Sequence, residues 1–182
     1  MKKLTIVSAL VLAFAAPAAQ AEKLKVRLVG YQEVPSVSSA GLGEFEAQIR
    51  KNAVGDITIE WELSYNNGFS TPVQQAHIHF GQRHTNGGIS IFLCTNLGNG
   101  PAGTQACPPA PARISGEATA VDVIGPGGAQ QIGPGEIEEI VAAIRSGAAY
   151  VNIHTVTSPG GEVRGQFHRG DGHHHGHGDH RH

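Results

Sequence analysis

The sequence lacks the features of nucleic-acid-binding and membrane-spanning proteins. Its 182 residues include 13 Lys and Arg against 15 Asp and Glu, and none of the basic residues form a run. This balance excludes a strong electrostatic attraction for nucleic acid. After residue 21 no stretch is apolar enough to cross a bilayer, so we expect no membrane span in the mature chain. The length indicates one domain.

Cysteine is equally scarce, since the chain has only Cys94 and Cys107. In an oxidising compartment such a pair is most simply a disulfide, which would close a segment rich in Gly, Asn and Pro. Ligation of a metal by the two thiolates is the alternative.

The N-terminus has the pattern of a secretory signal peptide. It begins Met-Lys-Lys, continues with an apolar run over residues 4–16, and reaches Ala19-Gln20-Ala21. A basic start, a short apolar segment and an Ala-x-Ala site are the three parts of such a signal. We expect cleavage after Ala21 and a periplasmic or secreted protein. The domain then covers residues 22–168.

Short alternating segments predict strands for most of this domain. Leu24 to Leu28 and Phe45 to Ile49 alternate apolar and polar residues, and Ile57 to Tyr65 gives the longest alternation. The last two read as a hairpin, and Ile114 to Val123 is a further candidate strand. One helix is predicted over Glu136 to Ser146, because its Ile and Val residues recur at helical spacing. Seven or eight short strands with frequent turns favour an antiparallel β-sandwich or barrel.

Two predicted strands carry histidines on the face opposite their apolar residues. In Ala76-His77-Ile78-His79-Phe80, both histidines share one face, and in Val151-Asn152-Ile153-His154 the histidine again opposes Val and Ile. Neighbouring strands would gather His77, His79 and His154 on one surface. Three neutral imidazoles suit Cu(II) or Zn(II). Otherwise the three are sheet residues bonded to neighbours such as Asn152, Thr155 or Glu162.

Several other residues are candidates for a role near these histidines. His84 is a candidate fourth ligand if the hairpin after the first strand folds back, although residues at hairpin tips are usually only solvated. Glu162, Arg164 and Gln166 are expected either to support His154 or to form a polar outer strand face.

The C-terminal segment, residues 169–182, has no apolar side chain to bury and is expected to be disordered. A tract of this composition binds Cu, Ni or Zn weakly and in several modes. Its candidate ligands are His173, His174, His175, His177, His180 and His182.

Five motifs, in order, resemble those of the chordin-type (CHRD) domain family, and they span roughly Leu28 to Phe167. They are Gly30 to Pro35, Ala76 to Gly81, Asn86 to Gly88, Gly147 to Thr155 and Pro159 to Gln166. The resemblance implies an immunoglobulin-like, all-β domain. In animals this domain is repeated in an extracellular growth-factor antagonist, a role not expected of a chain with one copy. The expected fold is an antiparallel immunoglobulin-like or Greek-key β-sandwich or barrel with one short helix.

A looser similarity links the His-x-His strand and the later His154 to the copper ligands of copper/zinc superoxide dismutases. No bridging histidine or zinc-binding loop accompanies them. We therefore expect a periplasmic or secreted protein that binds copper, or alternatively zinc, in metal handling, with a metal-transfer protein as candidate partner. The alternatives are a dismutase-like copper enzyme, which we favour less, and a metal-free interaction or adhesion module.

Overall fold

The computed structural model describes residues 21–168, which form eight strands, one α-helix and three short 3-10 turns. The predicted signal peptide, apart from its last residue, and the His-rich tail lie outside the described residues. The strands are β1 (Glu22–Val29), β2 (Leu42–Lys51), β3 (Ile57–Tyr65), β4 (Val73–Phe80), β5 (Gly88–Thr95), β6 (Ala112–Ala118), β7 (Ala149–Thr155) and β8 (Val163–Gln166), and the helix is α1 (Ile137–Ser146).

All eight strands belong to one antiparallel sheet, in the order β5-β4-β7-β8-β1-β2-β3-β6. Its two edge strands, β5 and β6, approach each other, because Val123 just beyond β6 pairs with Ile91 of β5. The sheet therefore curls into a nearly closed barrel, which confirms the expected all-β class with one short helix. The bridge occupies part of the β5 edge, on which another chain could otherwise pair.

Strand alternation fills the barrel with apolar side chains. On β2 and β3 the residues at every second position are buried, and Phe45 stacks against Trp61 with ring centroids 6.4 Å apart. Phe167, after the last strand, packs edge-on against Phe45 at 5.9 Å. The opposite face of these strands carries exposed ion pairs such as Lys25 with Glu46. The predicted hairpin of these two strands is confirmed.

The helix follows its predicted boundaries closely. Ile137, Ile140, Val141 and Ile144 are buried along one side, as the helical spacing indicated. The helix ends at Gly147, which adopts the left-handed conformation with φ 74°. β7 begins two residues later, so the helix delivers the chain directly to the His154 strand.

The strand predicted over residues 114–123 is wrong at its C-terminal end. β6 stops at Ala118 because Thr119 and Asp122 form a capping box, in which the Thr119 amide donates to Asp122 Oδ2 at 2.8 Å. A 3-10 turn over Ala120–Asp122 replaces the last part of the strand.

Within residues 21–168 no helix is long and apolar enough to cross a membrane.

Candidate metal centre

The structure brings His77, His79 and His154 together. Each offers one ring nitrogen, and the three nitrogens lie within 4.8 Å of one another. The strand pairing explains the cluster. β4 and β7 are neighbours, and the register sets His77 opposite Asn152 and His154 opposite Gln75, so that His154 is the diagonal neighbour of His77. Diagonal residues on one face of an antiparallel pair are close enough for long side chains to meet.

Two backbone carbonyl groups fix the protonation of two of these rings. His79 Nδ1 lies 3.0 Å from the Gly87 oxygen, and His154 Nδ1 lies 2.9 Å from the Pro159 oxygen. A carbonyl oxygen only accepts, so each Nδ1 carries the proton and donates it. Nε2 of both rings is then a lone-pair donor, the state that a metal ion requires.

The third ring, that of His77, is hydrogen-bonded to the ring of His154. His77 Nδ1 lies 3.0 Å from His154 Nε2, and since that Nε2 carries no proton, His77 is the donor. The Nε2 atoms of His77 and His79 are buried without any hydrogen-bond partner. Leaving a buried polar atom unpaired costs about 1–3 kcal/mol, so two such atoms in one cluster require an explanation.

The electrostatic environment keeps the three imidazoles neutral. Burial, together with the neighbouring rings of His154 and His79, lowers the pKa of His77 to about 2. Burial also lowers the pKa of His79 to about 4, against the opposing effect of the Gly87 carbonyl. The pKa of His154 is lowered by burial as well. The cluster therefore offers three uncharged ligands at neutral pH.

The expectation that these histidines lie on a surface is wrong. Their exposed fractions are 1% for His77, 6% for His79 and 7% for His154. They do face away from the apolar residues of their strands, as predicted, but a second layer covers that face. The β4–β5 loop, residues 81–87, closes over it and is tied by Asn86 Nδ2 to the Val34 oxygen at 2.9 Å.

Arg164 on β8 anchors this covering layer. Its guanidinium donates to the carbonyl oxygens of Thr85 at 2.8 Å and Gln82 at 2.9 Å, both in the β4–β5 loop. Its carbon Cζ lies 3.4 Å from the ring centroid of Tyr150, and that ring stacks on His79 at 4.8 Å with only 5° between planes. Because β7 lies between β4 and β8, Tyr150 separates the cation from the imidazole.

The other two candidate support residues are also buried, so the expected polar outer strand face is not observed. Gln166 Nε2 donates to the oxygens of Gly81, Gly147 and Ala149, each at 2.9 Å. Glu162 accepts hydrogen bonds from three hydroxyl groups and one amide, those of Ser39, Ser70, Thr155 and the Ser70 backbone. Both side chains fasten loops rather than contact His154.

Sequence reasoning missed the groups that orient the rings. Every residue has a backbone carbonyl, so the residue types at Gly87 and Pro159 do not indicate that their carbonyls orient the rings. Both residues do lie in turn motifs that can be recognised in the sequence. Tyr150 was also missed, and its place opposite His79 could have been found from the strand register. Phe92 of β5 packs edge-on against His77 with centroids 4.4 Å apart.

His84 does not join the cluster. It is exposed at the tip of the β4–β5 loop with φ 66°, and the group of possible ligands found in residues 21–168 does not include it. The six tail histidines lie outside the described residues. The disulfide between Cys94 and Cys107 is confirmed, with the Cα atoms 5.0 Å apart, so neither thiol is free for a metal.

Comparison with family models assigns the fold and these motifs to one known family. The model of the CHRD domain matches residues 24–167, which covers most of the chain and, apart from the first two residues of β1, all eight strands. The chain belongs to the CHRD domain family. All three cluster histidines, Arg164 and the β4–β5 loop lie inside the CHRD domain. Comparison with curated proteins and with solved structures finds no match in either.

Proposed function

We propose that this CHRD domain protein binds one metal ion through His77, His79 and His154. The observation that carries the proposal is the set of fixed tautomers: the Gly87 and Pro159 carbonyls hold the protons on Nδ1 of His79 and His154 and leave their Nε2 atoms unprotonated, in a group whose three ring nitrogens lie within 4.8 Å of one another. Histidine ligands in metal sites are typically oriented in this way by a hydrogen bond from the second nitrogen.

The chemistry of the donor set favours copper, with zinc as the alternative. The ligands are three neutral imidazoles, with no thiolate and no carboxylate in the group. Imidazole suits both metals, and copper is bound most tightly in the divalent series. With a signal peptide and a His-rich tail, the expected role is metal handling outside the cytoplasm: storage, delivery or resistance, with the tail as an accessory and a metal-transfer protein as partner.

Two other functions make different predictions. In a metal-free interaction module the histidines would have only a structural role. The two unpaired Nε2 atoms would then destabilise the fold, and no bound ion would offset that cost. In a dismutase-like enzyme the copper would need an open ligand position, which a three-histidine site leaves. Redox activity of the copper-loaded protein separates that enzyme from a carrier.

The tail histidines must be replaced in any test, because a His-rich tract of this composition is expected to bind metal itself. We define the tail-Ser variant as the full chain with all six histidines of residues 173–182 replaced by Ser. Titration with copper and with zinc should give one tightly bound ion per chain. His79→Gln or His154→Gln in the same background should greatly weaken that binding. The matched control is His84→Asn, which removes an exposed histidine and should leave the ratio at one.

Absence of stoichiometric copper or zinc binding by the tail-Ser variant would contradict the proposal. Equal binding after His79→Gln would also contradict it, because the ion would then lie elsewhere.

A further inference from the structure

Unpaired buried atoms extend beyond the three histidines. Among residues 21–168, five buried side-chain atoms have no hydrogen-bond partner: Glu33 Oε1, His77 Nε2, His79 Nε2, Ser90 Oγ and Asn152 Oδ1. Four of the five belong to the buried polar layer of β4, β7 and the turn after β1. Native proteins leave few such atoms, and a cluster of them marks a place where a polar ligand or ion belongs.

Asn152 links the additional atoms to the histidines. It lies on β7 directly opposite His77 and two residues before His154 on the same face, and it is 2% exposed. Its amide also interacts with the His79 ring and raises the pKa of that imidazole. The unpaired Oδ1 of Asn152 is therefore part of the surroundings of the same three rings.

Glu33, in the segment that follows β1, is a second buried polar residue beside Asn152. The residue is 5% exposed, and among the described residues no ion pair includes it. A buried carboxyl group with an unpaired oxygen is unusual, since carboxylates remain inside proteins when paired, hydrogen-bonded or bound to a metal. The carboxyl group hydrogen-bonds the Asn152 side chain and the Val34 backbone, which leaves Oε1 as its unpaired atom.

Gly161 makes room for both side chains. Its φ is +124°, and a Cβ at this position would lie 2.5 Å from Glu33 Oε1 and 2.6 Å from Asn152 Nδ2. Any other residue would push the two polar groups apart. Gly161 also follows Pro159 closely, and the Pro159 carbonyl orients His154. One turn thus positions a metal ligand and accommodates the pair of polar groups.

We propose that Glu33 and Asn152 hold an exchangeable fourth ligand on the ion bound by His77, His79 and His154. This inference rests on the proposed metal binding and specifies the site further: the buried ion would carry one exchangeable donor molecule of about the size of water. Three protein ligands with one water is the arrangement of metal sites that exchange ligands, whereas closed structural sites have four protein ligands. Glu33 and Asn152 are positioning residues, since their oxygens accept hydrogen bonds from the water and do not bind the ion.

Azide is a suitable probe because it is small, anionic and gives a charge-transfer band when it binds Cu(II). The tail-Ser variant is loaded with one equivalent of Cu(II), and azide affinity is measured at pH 8 from that band. Glu33→Gln preserves the shape of the side chain and removes a negative charge beside the fourth position. Azide should then bind on the order of tenfold more tightly, because a charge at such short range is poorly screened.

Asn152→Asp adds a charge at the other positioning residue and should weaken azide binding by a similar factor. The pair of opposite shifts separates a role at the ligand from a general loss of structure, and Asn152→Asp carries the test if Glu33→Gln does not fold. Glu46→Gln is the control, since Glu46 is an exposed carboxylate paired with Lys25 on β2. Its azide affinity should equal that of the parent, and copper content should stay at one ion in every variant.

The two proposals fail in different ways. If the parent binds one copper ion but no azide, or if azide affinity is the same in all variants, the exchangeable position is wrong and the metal site stands. If the parent binds no copper, both proposals are wrong.

Discussion

His77 donates a hydrogen bond to His154, with Nδ1 and Nε2 3.0 Å apart, although both rings are buried and neutral. The Pro159 carbonyl dictates this direction, because it requires the proton of His154 to be on Nδ1. The contact occupies a lone pair that an ion would otherwise use. In the metal-free protein the ring of His77 thus acts as a substitute for the ion at His154.

Replacing both partners of this contact should cost the metal-free fold little. In the double variant His77→Leu/His154→Leu, the unpaired His77 Nε2 disappears, and the Pro159 carbonyl that loses its donor belongs to an exposed residue. Removal of both partners of a buried hydrogen bond is nearly neutral or stabilising. We expect the free energy of unfolding to stay within about 1 kcal/mol of the parent or to rise.

Chemical denaturation in the presence of a chelator measures this, and copper titration should show that the ion is no longer bound. A loss of more than about 3 kcal/mol would instead identify the two histidines as structural, the metal-free interpretation of the cluster.

The metal-free protein should lose stability as the pH falls below about 6.5, the pKa of a histidine in an unfolded chain. The pKa is about 2 for His77 and about 4 for His79 in the folded state, so between these values and 6.5 the unfolded chain binds more protons. The free energy of unfolding then decreases with decreasing pH. Glu33 acts in the opposite direction, because burial raises its pKa to about 7.

Comparison with the double variant isolates the histidine contribution. Its stability should depend less on pH, by up to about 1.4 kcal/mol per pH unit from the loss of His77 between about pH 4 and 6, and the loss of His154 acts in the same direction. Parallel stability curves for the parent and the double variant would show that the buried rings are not held neutral.

The sequence predicted the positions of the strands far better than it predicted the burial of their polar side chains. Alternation correctly placed His77 and His79 on the face opposite Ile78, and the strand that carries them pairs with β5 in an antiparallel hairpin. The cover over that face could not be predicted, because it comes from the distant segment around Val34 and from backbone carbonyls in the β4–β5 loop. A polar strand face normally indicates exposure to water. The sequence therefore did not indicate that Arg164 is buried, although its side chain is only 1% exposed.

Arg164 should be irreplaceable by lysine. A lysine cannot donate in a planar fork to the Thr85 and Gln82 carbonyls while lying flat on Tyr150. We expect Arg164→Lys to lower the free energy of unfolding by about 2–3 kcal/mol and to weaken copper binding, since the loosened loop carries the Gly87 carbonyl that orients His79.

Hydrogen exchange of the loop amides, residues 82–87, reports the loosening directly, and it should accelerate in the variant. Arg113→Lys is the control, because Arg113 forms an exposed ion pair with Glu62 and its replacement should change stability by less than about 0.5 kcal/mol. Unchanged exchange in Arg164→Lys would mean that the loop is held by other contacts.

The disulfide should stabilise the fold without affecting the ion. Cys94 and Cys107 are 13 residues apart in sequence, and closing a loop of this length contributes about 3 kcal/mol. The double variant Cys94→Ala/Cys107→Ala should unfold more readily by about that amount and still bind one copper ion. Loss of copper binding in a folded variant would imply that the loop supports the histidine cluster.

X-ray absorption of the copper-loaded tail-Ser variant tests the central claim most directly, because it counts the ligands and identifies imidazole rings. The structure predicts one ion with three imidazole nitrogens at about 2.0 Å, and two or fewer in the His154→Gln variant at matched loading. A parent spectrum that lacks three imidazoles, or one that His154→Gln leaves unchanged, would contradict a metal centre at His77, His79 and His154.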